Sequence, residues 1–393
     1  MGEITIPPIF YRDPWNLPFA ERFDDFLSGA YRVAYYCEQP DRSTFRYRCF
    51  AMAEAINSHV SKASAGYFWE SDGLKLIDVA KEADVLVISR ARYTWELEQL
   101  ITVARNWGAR IFFDVDDLVV EPAMVVPLLQ GIGHFSPGYG PEMEKGYDLW
   151  FSYVSRLRTT MELTDCVIAT NDYLAAELNK VTDLPVKVIN NFMSEEQVRY
   201  SNELVSSKSV TGDALQDLYI GYFSGTATHS GDFAIATEAL ATVMKERPRV
   251  RLRIVGDLDL TGTPLEAFAD RMETRQAVDF LNLQRFISAT EININPLQDT
   301  VFHNCKSELK YFDAAAVKVP TLASPTFAYR QAIEDGYNGR LVDDDAWYET
   351  LLDVIDNYET LGVEMGERAY SQAMQRFTGQ GNANRISEAL GIP

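Results

Sequence analysis

Apolar positions along this chain follow two alternating rhythms. Short, nearly continuous apolar or β-branched runs occur at Tyr31–Glu38, Ala65–Trp69, Asp84–Ser89, Arg110–Asp117, Cys166–Asn171 and Val186–Asn190. Between most of them the period lengthens to that of a helix, at Arg46–His59, Leu74–Ala83, Trp95–Trp107, Leu149–Thr164 and onward from Asp172. The same alternation returns later, with strand-like runs at Leu218–Ser224, Arg249–Asp257, Glu291–Pro296 and Val319–Ala323. Helical stretches there begin near Asp232 and cover most of Leu265–Ala289 and Asp345–Asp356, and two more close the chain. Strands buried on both faces read as unbroken apolar runs, and strands alternating with ten-residue helices predict βαβ units around a parallel sheet. The fold class is therefore α/β.

Two stretches break the rhythm. Residues 122–147 are rich in Gly and Pro and predict a loop or lid. Residues 191–216 are polar and predict an inter-domain connection or mobile loop. The expected division is 1–200, 201–375 and a terminal helical segment, 376–393, packing back on the first half. At 393 residues the chain suits two domains. A cleft between two βα-rich halves would bring both sets of strand ends face to face, and such interfaces are favoured ligand sites.

Charge narrows the partners. The formal net charge is −21, which disfavours nucleic acid and anionic membrane as partners. The four cysteines have no metal-ligand spacing, and the four histidines form no HxxxH pair. The first residues lack the basic and apolar regions of a signal peptide, and no apolar run approaches the ~18 residues of a membrane span. The expectation is a cytoplasmic protein with no transmembrane segment.

Candidate chemistry begins with residues 302–324, which predict a helix feeding a short buried strand. On that helix Lys306, Lys310 and Asp313 fall at i, i+4 and i+7 and share a face, with Leu309, Phe312 and Ala316 on a core face. Cations at a helix start cost a few tenths to about 1 kcal/mol, and a bound anion removes the misfit. A solvated amphipathic helix is the alternative. After the first strand, Arg42, Arg46 and Arg48 either face an anion or pair with nearby acids. Asp114-Val-Asp-Asp117 ends a strand, where it could bind a metal, accept from a hydroxyl or cap the next helix. Arg90 and Arg92 also follow a strand; one of them could line the cleft, but solvated surface charge describes them better. Gly225-Thr-Ala-Thr-His-Ser-Gly231 is a small-residue turn able to approach phosphate, without the Gly-Lys-Ser/Thr of a P-loop.

In order, Ile220–His229, Val255-Gly-Asp257, Ile294–Asp299, Lys306–Ser324 and Glu334–Val342 resemble the nucleotide-binding half of the retaining glycosyltransferases of family 4. The resemblance spans about 218–357. It extends more loosely to Arg46-Tyr-Arg48 and Asp114–Asp117. It implies the GT-B fold, two Rossmann-like βαβ domains facing each other across a cleft. It also implies a hexosyl- or deoxyhexosyl-transferase that moves a sugar from a nucleotide diphosphate sugar to a hydroxyl acceptor in polysaccharide or glycan assembly. Gly225, Thr226, His229, Lys306, Lys310 and Asp313 would bind the donor, with Lys310 the principal phosphate contact and Asp313 on the ribose. Asp116 or Asp117 would orient the acceptor, with Arg46, Arg48 and Asp117 around it. No metal or other cofactor is required if the lysines neutralise the diphosphate. Two departures stand out. The family often has two glutamates eight positions apart, and here those places hold Cys305 and Asp313. The Arg/Lys pair usual after the first strand is absent, with Thr226 and His229 in its neighbourhood. A nucleotide-sugar epimerase-like enzyme and a non-catalytic nucleotide-sugar-binding module are the alternatives.

Overall fold

The computed structural model describes residues 7–131, 141–207, 217–224 and 230–393. The strands form two six-stranded sheets, all of whose pairings are parallel. The first contains β1 (Tyr31–Cys37), β2 (Ala63–Trp69), β3 (Val85–Ser89), β4 (Arg110–Val115), β5 (Cys166–Ala169) and β6 (Val186–Val188), in the order β2-β1-β3-β4-β5-β6. The second contains β7 (Leu218–Phe223), β8 (Val250–Val255), β9 (Met272–Arg275), β10 (Ile292–Asn295), β11 (Thr321–Ala323) and β12 (Arg340–Leu341), in the order β12-β11-β10-β7-β8-β9. Every residue of β3, β7, β10 and β11 is buried, because helices cover both faces of each sheet.

In each sheet the strand order reverses once, between β1 and β3 in the first and between β7 and β10 in the second. Open parallel sheets bind ligands at such points, beyond the carboxyl ends of the strands.

Four local expectations change. The stretch 265–289 is not mainly helical. A 3₁₀ segment, Pro264–Arg271, leads into β9, and the helix Phe280–Ser288 starts only where the Asp279 carboxylate caps the Leu281 and Asn282 amides. The polar stretch 191–216 contains a helix, Glu195–Ser207, that buries Gln197, Tyr200, Ser201 and Leu204 on one face. Residues 208–216 lie outside the described residues. The expected loop at 122–147 is helical over Val125–Gly131 and again from Pro141, where the helix Pro141–Glu162 starts; 132–140 lie outside the described residues. The fourth change, at 302–316, bears on the site.

The helix Gly379–Leu390 packs on the helix Ala51–His59 of the first half. Gly379 makes that approach possible, since a Cβ there would lie 3.1 Å from Ala55 Cβ. No helix among the described residues is long and apolar enough to cross a membrane.

Candidate active site

The expected single helix over 302–316 is two pieces, Val301–Asn304 and Leu309–Ala315. The break has a tertiary cause. Asn171, just past β5 in the other half, donates its side-chain amide to the carbonyls of Cys305 and Lys306, both at 3.0 Å. Those carbonyls are therefore held by the facing domain, and Cys305 is buried against the first half's core. Lys306 sits in the connecting segment, its ammonium 4.7 Å from the Phe302 ring centroid, and does not share a helical face with Lys310 and Asp313. Cys305, where the family often has a glutamate, does not present a polar group to the cleft. Burial first, then Glu177 and Asp117, push its thiol pKa up.

Lys310 lies at the reversal point of the second sheet. It is half-buried as a residue, but its ammonium nitrogen is enclosed and has no hydrogen-bond partner among the described residues. The nearest aromatic surface is Tyr222 of β7, whose ring centroid is 4.9 Å away. Burial brings the Lys310 pKa down to about 8; Lys306 adds to that effect and Asp232 opposes it. Asp232, in the first turn of the helix Ser230–Glu246, is a residue at this point that the sequence did not single out. Its Oδ1 accepts from the Gln298 amide at 3.2 Å and lies 3.1 Å from His303 Nε2, while His303 Nδ1 meets Thr300 Oγ1 at 2.7 Å. Its place at a helix start reads as an ordinary cap, and only the fold reveals that it faces Lys310.

Asp313, on the helix that carries Lys310, is buried, and burial raises its pKa against the pull of Arg46 and Gln197. Gln197 Nε2 donates to Asp313 Oδ1 at 2.6 Å, and Gln197 Oε1 accepts from Arg46 Nη2 at 2.8 Å. Arg46 is flanked by Tyr47 and Phe280, 4.3 and 4.1 Å from the ring centroids. The structure thus brings Arg46, through Gln197, toward Asp313 of the second half and not to Asp116. Gly225, Thr226 and His229 lie outside the described residues. Gly256, just past β8, has φ +126°, and a Cβ there would fall 1.5 Å from the carbonyl oxygen of Ser224, so only glycine fits beside the end of β7.

In the first half the arginines separate by role. Arg48 is wholly buried in a fork with Asp114 (Nε–Oδ1 and Nη2–Oδ2, both 2.8 Å), and its Nη1 donates to the Ile189 carbonyl and to Asn191 Oδ1. With no exposed surface it cannot meet an acceptor, so it locks β4 to the chain leaving β6. Arg42 pairs with Asp13 at 2.9 Å and does not gather with Arg46 and Arg48 around an anion. Asp114 and Asp116 are neutralised by different guanidiniums, because Asp116 Oδ1 accepts from Arg90 Nη1 at 2.7 Å. Asp116 Oδ2 accepts from the Thr44 hydroxyl at 2.6 Å. Burial pushes the Asp116 carboxyl up, but Arg90 and Thr44 outweigh it and the pKa stays below its ordinary value. Asp117 lies 3.2 Å from the same Arg90 nitrogen.

Arg90 is therefore central and is not solvated surface charge. Its backbone is left-handed, with φ +44°, a conformation that costs a non-glycine residue free energy and concentrates at functional sites. Its Nε donates to the Tyr153 hydroxyl at 3.0 Å. Beside it opens a cavity of about 280 Å³ lined by Cys37, Glu38, Asp41, Thr44, Ser89 and Arg90 among others, at the carboxyl ends of β1 and β3. The two halves meet nearby, through Asn171 and the Cys305–Lys306 segment.

Comparison with known proteins agrees with this architecture. Residues 218–357 match the family model described as glycosyl transferases group 1. No curated protein sequence matches the chain significantly. Among solved structures, HepE of Anabaena in complex with UDP is similar at a TM-score of 0.59 and 14% identity, over 91% of this chain and 99% of that one. HepE has also been solved with UDP-glucose. Sucrose-phosphate synthase from Thermosynechococcus elongatus is similar at a TM-score of 0.53 and 12% identity, over 91% of this chain and 97% of that one. TarM of S. aureus is similar at 0.54 and 13% identity, where the match covers 57% of TarM. The chain has the GT-B fold, two Rossmann-like domains each built on a parallel sheet.

Proposed function

We propose that the protein is a retaining glycosyltransferase, moving a hexosyl or deoxyhexosyl unit from a nucleotide diphosphate sugar to an acceptor hydroxyl in polysaccharide or glycan assembly. The observation that carries this reading is Lys310, an enclosed ammonium without a hydrogen-bond partner at the reversal point of the second sheet. Leaving a buried cation unpaired is costly, and a diphosphate would supply the missing acceptors. The family match over 218–357 and the UDP and UDP-glucose bound by HepE support a nucleotide-sugar donor.

The difficult step in such a transfer is the negative charge that develops on the departing diphosphate. Lys310 would stabilise it at close range, with Lys306 as the second cation. Charges fixed in place before reaction act without reorganisation and in a partly dehydrated site. Gly225, Thr226 and His229, which follow β7 in the sequence, would add donors, and Asp313 would accept from the ribose. Across the cleft Asp116, held ionised by Arg90 and Thr44, would orient the acceptor hydroxyl, with Asp117 beside it. Closure of the halves would keep water from the donor.

A panel of nucleotide sugars tested by thermal shift, followed by turnover with the stabilising donor, checks the reading. Lys310→Ala should cut turnover about 10²-fold or more, and the anomeric configuration of the product, read by NMR, reports retention. Buried Cys305 in the place of a glutamate favours one competing reading, a nucleotide-sugar-binding module without turnover. Stabilisation by a nucleotide sugar with no transfer to any acceptor would support that alternative.

A further inference from the structure

The cavity beside Arg90 has a definite charge character. Among the described residues the one cation in its lining, Arg90, is already engaged. Arg90 is shared between Asp116 and Asp117, at 2.7 and 3.2 Å, and Arg92 is bound through Nε to Glu38 at 2.9 Å. Glu38 and Asp41 line the wall, and among the described residues Asp41 accepts only from the amides of Ser43 and Phe45 and the Ser43 hydroxyl. Two carboxylates, Glu38 and Asp41, thus line the cavity, and two more, Asp116 and Asp117, hold its one guanidinium. A phosphate or carboxylate entering here would lose hydration and meet like charge without a free cation to offset it.

The groups left for a ligand are of another kind. Ser89 is 3% exposed, lines the cavity, and its hydroxyl has no partner among the described residues. A buried hydroxyl without a partner is unfavourable, and a ligand hydroxyl would relieve it. The carboxylate oxygens of Glu38 and Asp41 are strong acceptors for ligand hydroxyls. At about 280 Å³ the space is just below the usual range of ligand pockets, roughly 300–1,000 Å³, and suits one small unit.

We infer that this cavity takes a neutral, hydroxyl-rich acceptor unit, a sugar or polyol, and discriminates against phosphorylated and carboxylated ones, with Ser89 as a specificity-determining contact. The inference rests on the glycosyltransferase reading and adds the chemical class of its acceptor.

The test uses the full chain and saturation-transfer NMR in the presence of UDP, ADP or GDP. One probe set is glucose, galactose, mannose and their methyl glycosides; the other is the matching 6-phosphates and uronates. At least one neutral probe should bind about tenfold or more tighter than its charged counterpart. Ser89→Ala should weaken that probe roughly three- to tenfold, with circular dichroism and nucleotide affinity unchanged. Glu38→Gln, which removes a negative charge and loosens Arg92, should narrow the gap between neutral and phosphorylated probes. Charged probes binding as well as neutral ones, or neither set binding, would overturn the inference, as would a Ser89→Ala variant with unaltered sugar affinity. Nucleotide affinity, measured by calorimetry on the same samples, reports separately on the donor reading. Its absence with sugar binding intact would sink that reading and leave the cavity's preference standing.

Discussion

The ammonium of Lys310 sits 4.9 Å from the centroid of the Tyr222 ring, enclosed and without a hydrogen-bond partner among the described residues. A ring face attracts a cation but does not replace the hydrogen bonds the ammonium gave up. The result is a lysine whose pKa falls to about 8, within reach of ordinary buffers.

That value sets the first expectation. Diphosphate binding favours the charged lysine, so above pH 8 binding must also restore a proton. The Kd for the nucleotide should rise above pH 8, toward tenfold per pH unit, and the nucleotide-induced increase in Tm should shrink between pH 7 and 9.5. Lys310→Arg, which stays charged, should remove this dependence. In the ligand-free protein the same depressed pKa acts with the opposite sign. The unfolded chain holds the proton more tightly, so this group's contribution to stability rises from about pH 8 to about 10.4. A wild-type Kd that stays flat across this range would falsify the contact between Lys310 and the diphosphate.

Gly256 supplies the second. At φ +126°, with the Ser224 carbonyl oxygen 1.5 Å from where a Cβ would stand, no side chain fits unless the backbone moves. Ser224 is tied to β8, its amide donating to the Val255 carbonyl at 2.9 Å, and it leads directly into residues 225–229. Gly256→Ala should therefore cost about 1–3 kcal/mol of stability through strain and weaken nucleotide binding about tenfold or more. Urea unfolding and calorimetry on the same preparation separate the two effects. Unchanged nucleotide affinity would mean that this turn does not shape the donor site.

Much of this was legible in the sequence, for a physical reason. Asp84–Ser89 and Leu218–Ser224 read as strands because both their faces are covered, which leaves an unbroken apolar run. Lys310 and Asp313 were legible as a pair because they lie three residues apart on one short helix. What escaped depends on distant partners. The break before Leu309 comes from Asn171, 134 positions before Cys305, and nothing in the local periodicity records it. Arg90 is set apart from Arg92 by partners distant in sequence, Asp116 and Asp117 on the loop after a neighbouring strand and Tyr153. Arg46 and Arg48 are two residues apart yet serve different halves of the molecule, one through Gln197 and the other through Asp114. Asp232 carries the local signature of a helix cap, and its second face, toward Lys310 and His303, exists only in the assembled sheet.

Asp313 gives the third expectation. One carboxylate oxygen is occupied by Gln197 at 2.6 Å, which leaves the other for a ribose hydroxyl. A site built to accept from a hydroxyl penalises the analogue that lacks it. With the nucleoside diphosphate that stabilises the protein most, removal of the 2′- or 3′-hydroxyl should weaken binding about tenfold, from a charge-assisted bond worth ~1.5–3 kcal/mol. Asp313→Asn should bind the parent nucleotide less tightly and lose most of that preference. Calorimetry on the parent and the two deoxy analogues is sufficient, and a preference that survives intact in Asp313→Asn would place the ribose elsewhere.

Arg48 gives the last, and it separates a structural role from acceptor binding. The guanidinium is wholly buried, forks onto Asp114 at 2.8 Å twice, and holds the Ile189 carbonyl and Asn191 at 2.8 and 2.9 Å. Removing one member of such a pair leaves the other charge buried without compensation, which typically costs 3–5 kcal/mol, whereas replacing both by apolar groups of similar volume is far milder. Arg48→Met should therefore lose about 3–5 kcal/mol in urea unfolding. Arg48→Met with Asp114→Leu should recover much of that loss, because no lone carboxylate remains. The recovery would be incomplete, since Ile189 and Asn191 still lose their donor and the segment leading from β6 to the helix Glu195–Ser207 loses its anchor. If Arg48 instead met the acceptor, the single variant would keep its stability and raise the acceptor KM, and the second substitution would rescue nothing. Stability and KM measured on the wild type and the single and double variants decide between these outcomes, and burial favours the first.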